Sequence, residues 1–254
     1  MRSSSSGSPD PVPCPGPRVT AGDATARRLH EVNLVAALAF VLGGSLFALG
    51  AAFAQLGVGT LTTVNVTYLV GGFFFSLGGY VSIVLVSTAA QAGPGTHGLR
   101  WWSYRPHERG WLSAVVLFVG TLLFAVSLVA AFAEGLTPRQ SNGWIWLPDI
   151  LGCLCFLGSG RLAMLDVCDG HVRVLASVLD WWVVAVNQLG SILFFLAGIA
   201  AFTRPATDSA INVGLVNWGT FAGAACFALG GVIQSFAHPT PTRTVVRPSH
   251  DTTQ

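Results

Sequence analysis

The pattern Gly-x-x-x-Phe-x-x-x-Gly occurs three times in this chain, each time inside an apolar run. Residues four apart lie about 40° apart around an α-helix, so each copy forms one stripe on one helix face. The apolar run before each copy carries half of the pattern, a glycine four residues ahead of a phenylalanine. In lipid, small residues allow helix backbones to approach closely. We therefore predict that the following residues pack helices together: Gly43, Phe47, Gly71, Phe75, Gly79, Gly120, Phe124, Gly152, Phe156, Gly160, Gly190, Phe194, Gly223, Phe227 and Gly231.

The composition suits a lipid environment. The 254 residues are 52% hydrophobic and 9% charged, whereas soluble domains contain about 25% charged residues. A bilayer is crossed by about 20 apolar residues in a helix. The sequence therefore predicts an all-α integral membrane protein in the lipid bilayer, with six transmembrane helices arranged as three tandem helical hairpins. The predicted spans are 32–54, 66–88, 112–133, 145–165, 181–202 and 214–236.

The segments outside the spans differ in composition. Residues 1–26 are rich in Ser, Pro and Gly, and such a segment cannot bury a core, so we expect a disordered tail. A second loose, polar tail is expected at 238–254. Between the tails we predict hairpins at 27–90, 111–167 and 180–237, joined by loops at 91–110 and 168–179.

The arginines predict the orientation. Ten of them fall on the side of the chain termini, while Arg139 and Arg204 fall on the other side. Because basic residues are enriched on the cytoplasmic side, both termini are predicted to be cytoplasmic. All thirteen basic residues are arginine, which favours a GC-rich bacterial genome and hence a bacterial plasma membrane protein.

The three hairpins read as a repeat. The second and third align at an offset of 70 residues through Gly120/Gly190 and Phe124/Phe194. Asn65 and Asn217 stand six residues before their stripe glycines, where the second hairpin has Trp146. Each unit contains two spans, so the repeats are parallel and any symmetry axis lies along the membrane normal. A closed pseudo-threefold bundle and an unsymmetrical row of hairpins are both compatible with the pattern.

The same residues carry a family resemblance. Gly-Ser-Leu-Phe at 44–47 with Val-Gly-Gly-Phe-Phe-Phe-Ser-Leu-Gly-Gly at 70–79 resembles the YrhK-like family of small two-helix bacterial membrane modules. The third hairpin resembles it through Gly190-Ser-Ile-Leu-Phe194 and Phe227-Ala-Leu-Gly-Gly231, whereas the middle hairpin departs at 157–161. The resemblance implies tandem membrane modules without an assigned activity, so it supplies no catalytic residue.

Three polar residues within the spans are candidates for a ligand or transport site. Asp149 follows Pro148 at the predicted start of the fourth span. The N–H groups and dipole of a helix start would stabilise a carboxylate there, but a carboxylate in a span is also a functional candidate. Asn187 and Gln188 lie inside the fifth span, where they would either hydrogen-bond between helices or line a permeation path.

The loop at 97–111 interleaves basic and aromatic residues. Arg100, Arg105 and Arg109 stand among four aromatic residues, a composition that suits anionic lipid headgroups or general positive-inside anchoring. Nucleic acid is not a predicted partner because the segment is short and adjoins the membrane. Cys168 and His171 have ligand-like spacing, but no further ligand is evident, so we predict no metal site and no cofactor.

These features favour a non-enzymatic membrane module or scaffold that packs through its Gly/Phe stripes. A second copy of the chain or another membrane protein is the candidate partner. The alternative is a small-solute or ion transporter or channel that uses Asp149, Asn187 and Gln188. The sequence has no pairing of a nucleophile with a base and no phosphate-binding loop, so no enzyme activity is predicted.

Overall fold

The computed structural model of the protein describes residues 21–91, 98–171 and 173–239. The residues 1–20 and 240–254 of the predicted tails, and 92–97 of the first predicted loop, lie outside the described residues. In chain order the elements are α1 (Ala21–Leu56), α2 (Leu61–Ala89), α3 (Arg109–Ala130), α4 (Pro138–Ser141), a π-helical turn (Asn142–Trp146), α5 (Leu147–Val167), α6 (Leu179–Ala200), β1 (Thr203–Arg204), β2 (Ser209–Ala210) and α7 (Val213–Ser235).

Six helical segments are long and apolar enough to cross a membrane, which confirms the predicted six-span, all-α class. Helix α4, the π-helical turn and α5 form the fourth of them, Pro138–Val167. The two short strands pair in an antiparallel hairpin between α6 and α7.

Helix α1 begins earlier than predicted. Residues 21–26, which the sequence analysis assigned to a disordered tail, are helical. This segment is rich in alanine, the best helix former, and carries no proline. Just after it, Arg27 Nε lies 3.1 Å from Glu31 Oε1 one turn later, a spacing that adds a little helix stability. The proline-rich part of the tail therefore ends before this helix starts.

The six spans form a closed ring. Each span packs extensively on its neighbours in the sequence, and α7 packs on α1. Successive spans are antiparallel, so α1 begins and α7 ends at one end of the ring, here called the terminal end; the opposite end is called the far end. Of the two arrangements compatible with the repeat, the structure has the closed one.

Each hairpin is held by direct backbone contact at its paired glycines. A Cβ atom on Gly71 would lie 3.1 Å from the carbonyl oxygen of Gly43, and one on Gly152 would lie 3.0 Å from that of Gly120. In the third hairpin, Cβ atoms on Gly190 and Gly223 would lie 2.9 and 3.0 Å from each other's carbonyl oxygens. Such distances are tighter than most real Cβ contacts and the neighbouring atom is backbone in each case, so glycine allows the helices to cross this closely.

The second glycine of each stripe faces the next hairpin around the ring. A Cβ atom on Gly79 would lie 3.4 Å from Cα of Phe118, and one on Gly231 would lie 2.8 Å from the carbonyl oxygen of Ala37. Gly160 faces Gln188, whose side-chain oxygen would overlap such an atom. One glycine thus closes each hairpin and the other joins it to the following one.

Side-chain hydrogen bonds supplement this packing at the terminal end. Asn33 Nδ2 donates to the carbonyl oxygen of Gln234 at 2.9 Å, and Gln234 Nε2 donates back to Asn33 Oδ1 at 3.0 Å. Ser113 and Ser159 donate to each other's carbonyl oxygens at 2.9 Å. The first pair closes the ring between α1 and α7, and the second joins α3 to α5.

The backbone contact between glycines can be tested in the third hairpin. Gly223→Val should destabilise the protein by about 1–3 kcal/mol because the new side chain overlaps Phe194 and the Gly190 backbone. The midpoint of thermal unfolding in detergent should fall accordingly. Gly143→Ala is the matched control, since nothing lies within 4 Å of a Cβ atom at that position. Equal midpoints for the two variants would contradict the assignment.

Candidate functional site

Six phenylalanines, one from each span, meet at the centre of the ring. Those of the first helices of the hairpins form one triangle, with ring centroids 5.4–6.1 Å apart. Those of the second helices form another, at 5.0–6.1 Å. Within each hairpin the two rings lie 5.6–6.1 Å apart, so the triangles stack into a three-sided prism. The members of this phenylalanine barrier are Phe47, Phe124 and Phe194 in one triangle and Phe75, Phe156 and Phe227 in the other.

The barrier fills the axis of the bundle. All six side chains are buried, and the void between them measures about 10 Å³, which is close to the smallest space that holds one water molecule. The ring contacts are edge-to-face or tilted, and aromatic pairs in favourable edge-to-face or offset geometry are worth about 0.5–1.5 kcal/mol each beyond the area they bury. The phenylalanine stripes predicted from the sequence thus form one shared cluster.

A cavity opens on each side of the barrier. The far cavity measures about 290 Å³, and Phe47, Phe124 and Phe194 line it. The terminal cavity measures about 330 Å³, and Phe75, Phe156 and Phe227 line it. The bundle therefore has the form of an hourglass whose waist is aromatic.

Three residues at equivalent positions line the far cavity. Tyr68, Asp149 and Thr220 each stand seven residues before the barrier phenylalanine of their helix, which is two helical turns. The sequence predicts Asp149 as a site residue but not Tyr68 or Thr220. Their spacing of seven residues from the repeated phenylalanines would have indicated them.

A second set of equivalent residues ties the hairpins together at the far end. Asn65 Nδ2 donates to the carbonyl oxygen of Ala131 at 2.9 Å, at the end of α3. Trp146 Nε1 donates to that of Gly198 at 2.9 Å near the end of α6, and Asn217 Nδ2 donates to Gln55 Oε1 at 3.1 Å at the end of α1. Each donor thus reaches the first helix of the next hairpin, and the three bonds close the ring.

The structure corrects the interpretation of Asp149 as a residue at a helix start. The helix runs through the π-helical turn, in which the N–H of Leu147 already donates to the carbonyl oxygen of Asn142. A helix-start dipole therefore does not account for this carboxylate. Its Oδ2 lies 3.2 Å from where a Cβ atom of Gly198 would stand. Within the described part of the chain, its carboxylate has no hydrogen bond or ion pair, and it lines the far cavity.

Asn187 and Gln188 lie on α6 towards the terminal end. Asn187 lines the terminal cavity and packs against Gly230 of α7, whereas Gln188 packs against Gly160 of α5. The Oδ1 atom of Asn187 and the Oε1 atom of Gln188 are buried without a hydrogen-bond partner in the described residues. The two amides therefore do not form a hydrogen bond between helices through these oxygens. They lie on the other side of the barrier from Asp149.

The three candidate arginines differ in what their side chains contact. Arg105 Nη1 lies 2.6 Å from Glu108 Oε1. Arg109 Nη1 lies 3.5 Å from the carbonyl oxygen of Leu165 and packs against Gly170. Arg100 is exposed and its backbone N–H donates to Thr88 Oγ1 at 3.1 Å. Arg109 thus joins the loop to the end of α5, and a role of the three in lipid binding stays a prediction.

The described residues include no cluster of three or more His, Cys, Asp or Glu side chains placed to hold a metal ion. Cys168 is buried, and its Sγ lies 3.3 Å from the carbonyl oxygen of Arg173.

No protein-family model, curated protein or solved structure matches the chain. The resemblance to the YrhK-like family therefore stays a prediction from the glycine and phenylalanine motifs.

The separation of the cavities can be tested by cysteine labelling after replacement of the native cysteines. Thr220→Cys lines the far cavity and Ser82→Cys the terminal cavity. A charged, membrane-impermeant maleimide should therefore label each from one face of the membrane, and the two from opposite faces. Leu122→Cys, whose native side chain is 47% exposed on the outside of the bundle, is the unlabelled control. Labelling of either cavity residue from both faces would contradict a closed barrier.

Proposed function

We propose that this protein moves a small solute or cation across the bacterial plasma membrane along the axis of the helix ring. The observation that carries the proposal is the pair of cavities on either side of one aromatic barrier. A hydrophobic constriction gates a pore by excluding water, and the polar residues on either side would hold the solute before and after it passes. Asp149 is the residue assigned to the far cavity, and Asn187 to the terminal cavity.

Transport is favoured over the scaffold hypothesis by the direction in which the stripes face. All fifteen stripe residues lie at contacts within the chain, and fourteen of them are buried; Gly160, which is partly exposed, faces Gln188. The stripe residues are thus used for contacts within one copy and are not free to pack against a second copy or another membrane protein. An unpaired carboxylate inside a span also has no role in a scaffold, since such groups are expensive in lipid.

With both termini in the cytoplasm, the far cavity would open to the outside and the terminal cavity to the cytoplasm. The seam between α5 and α6 is where we place the conformational change. It is the least extensive helix contact in the ring, and α5 is preceded there by the π-helical turn, a feature frequent at functional sites. Asp149 and Gln188 both lie against glycines across this seam.

The transport proposal can be tested by cation uptake into proteoliposomes under an inside-negative potential, with radiolabelled sodium and choline as probes. Wild type should accumulate one or both above protein-free vesicles. Asp149→Asn and Asn187→Leu should lower the rate about tenfold or more, because loss of a charge-assisted or buried polar contact costs at least about 1.4 kcal/mol. Asp208→Asn, an exposed carboxylate on the far loop, should leave the rate unchanged. Uptake equal to that of protein-free vesicles would discard the proposal.

The barrier makes a second prediction. Replacing Phe124 and Phe156 together by alanine removes one ring from each triangle and should raise the passive cation leak roughly tenfold, since a wider constriction admits water. Phe73→Ala, at a side chain 66% exposed on the outside of the bundle, is the control for a lost aromatic ring. A leak no greater than that of the control variant would argue against an axial path. Gel filtration and thermal unfolding would show whether each variant keeps its fold.

A further inference from the structure

We infer that the far cavity is a binding site for a small organic monocation such as an alkylammonium ion. This site rests on the proposed transport function, because the cation that it binds would be the solute that the protein transports. Binding itself is measured without any flux, so the two can fail separately.

The charge of the cavity points to a cation. Among the residues that line it, Asp149 carries the one carboxyl group, and no arginine is present. The described part of the chain offers that carboxylate neither an ion pair nor a hydrogen bond. An isolated charge in a span is costly unless it is paired, so a cation in the cavity would supply the missing partner.

The single carboxylate also indicates the charge number. Calcium takes six to eight oxygen ligands, commonly including several carboxylates, and magnesium demands near-ideal octahedral geometry. The far cavity has one carboxylate, and its hydroxyl groups belong to Tyr68, Ser127, Ser141, Thr203 and Thr220. A monovalent ligand fits this set of groups better than a divalent metal ion.

The remaining walls favour an organic rather than a bare inorganic ion. Five aromatic side chains line the cavity: the three phenylalanines of the barrier's far triangle, Tyr68 and Trp146. Aromatic rings around a carboxylate are typical of sites that bind quaternary ammonium groups, because the ring faces attract cations.

Two of these rings are held in place without a ligand. Trp146 donates to the carbonyl oxygen of Gly198 at 2.9 Å, and Phe202 packs edge-on against it at 5.0 Å. The ring of Tyr68 lies 5.4 Å from that of Phe47, and its atoms lie 3.0 Å from where a Cβ atom of Gly50 would stand. A preformed wall of this kind lowers the ordering cost of binding.

The volume limits the size of the ligand. About 290 Å³ is available, close to the lower end of the roughly 300–1,000 Å³ typical of small-molecule sites, so the ligand should be small. Choline, with its trimethylammonium head, lies within this limit. Its uncharged carbon analogue, 3,3-dimethylbutan-1-ol, has the same shape and serves as a matched probe for the charge.

The experiment is equilibrium dialysis of radiolabelled choline against the purified full-length protein in detergent. Wild type should bind choline saturably, and 3,3-dimethylbutan-1-ol should compete at least about tenfold more weakly, as expected for loss of a charge-assisted contact. Asp149→Asn should weaken choline binding by a similar factor. Asp208→Asn removes an exposed carboxylate on the same end of the bundle and should bind like wild type.

A second variant tests the same site in case Asp149→Asn does not fold. Thr220→Phe adds bulk to the far cavity but keeps the carboxylate, so it should abolish choline binding by exclusion. Equal affinity for choline and its uncharged analogue, unchanged binding in Asp149→Asn, or unchanged binding in Thr220→Phe would each overturn the inference. Choline binding without uptake would support the binding site and contradict the transport function. Uptake of sodium without choline binding would support the transport function and contradict the binding site.

Discussion

The contact between helix backbones at the paired glycines is the constraint on which the rest of the structure depends. At Gly43 and Gly71, and at Gly190 and Gly223, each glycine lies against the other's carbonyl oxygen, and Gly152 lies against that of Gly120. This fixes how closely the two helices of a hairpin approach, and the phenylalanine one turn further along each helix then points to the common axis. In lipid, where apolar side chains gain nothing by leaving their solvent, such contact is the main source of helix association. A larger residue at the crossing would push both rings of that hairpin out of the barrier.

The spacing of a glycine four residues before a phenylalanine occurs in both helices of all three hairpins, and it produces the barrier. The candidate site consists of residues that differ between the hairpins. Positions two turns from the barrier rings carry Tyr68, Asp149 and Thr220 at the far end. At the terminal end, the equivalent residues of the first helices are Phe40, Leu117 and Asn187. Packing alone could be met by apolar residues at all of these positions. The polar residues at these positions are therefore not explained by packing alone.

The sequence predicted the elements of this fold better than their assembly. Spacings of four residues are local, so Gly120 and Phe124 could be assigned to one helix face without knowledge of their partners. Closure of the ring depends on contacts such as Asn33 with Gln234, which are 201 residues apart, and no local pattern encodes them. Of the two interpretations of Asp149, the one that places it at a helix start does not hold, because a π-helical turn continues the helix ahead of Pro148, where proline and a predicted span boundary indicate a start. Tyr68 and Thr220 were not predicted because only their position, two helical turns before a barrier phenylalanine, marks them as residues that line the far cavity.

The α5–α6 seam carries polar side chains beside its glycines. The carbonyl oxygen of Gly198 accepts the hydrogen bond of Trp146, and because Gly198 lacks a side chain it leaves room for the Asp149 carboxylate. Gly160 likewise leaves room for the side chain of Gln188. Polar side chains thus occupy the space beside the glycines of this seam. Filling such space with a charge and an unpaired amide costs stability. An interface weakened in this way can separate while the glycine contacts keep the other helices together, so under the proposed transport function this seam is the contact most able to open.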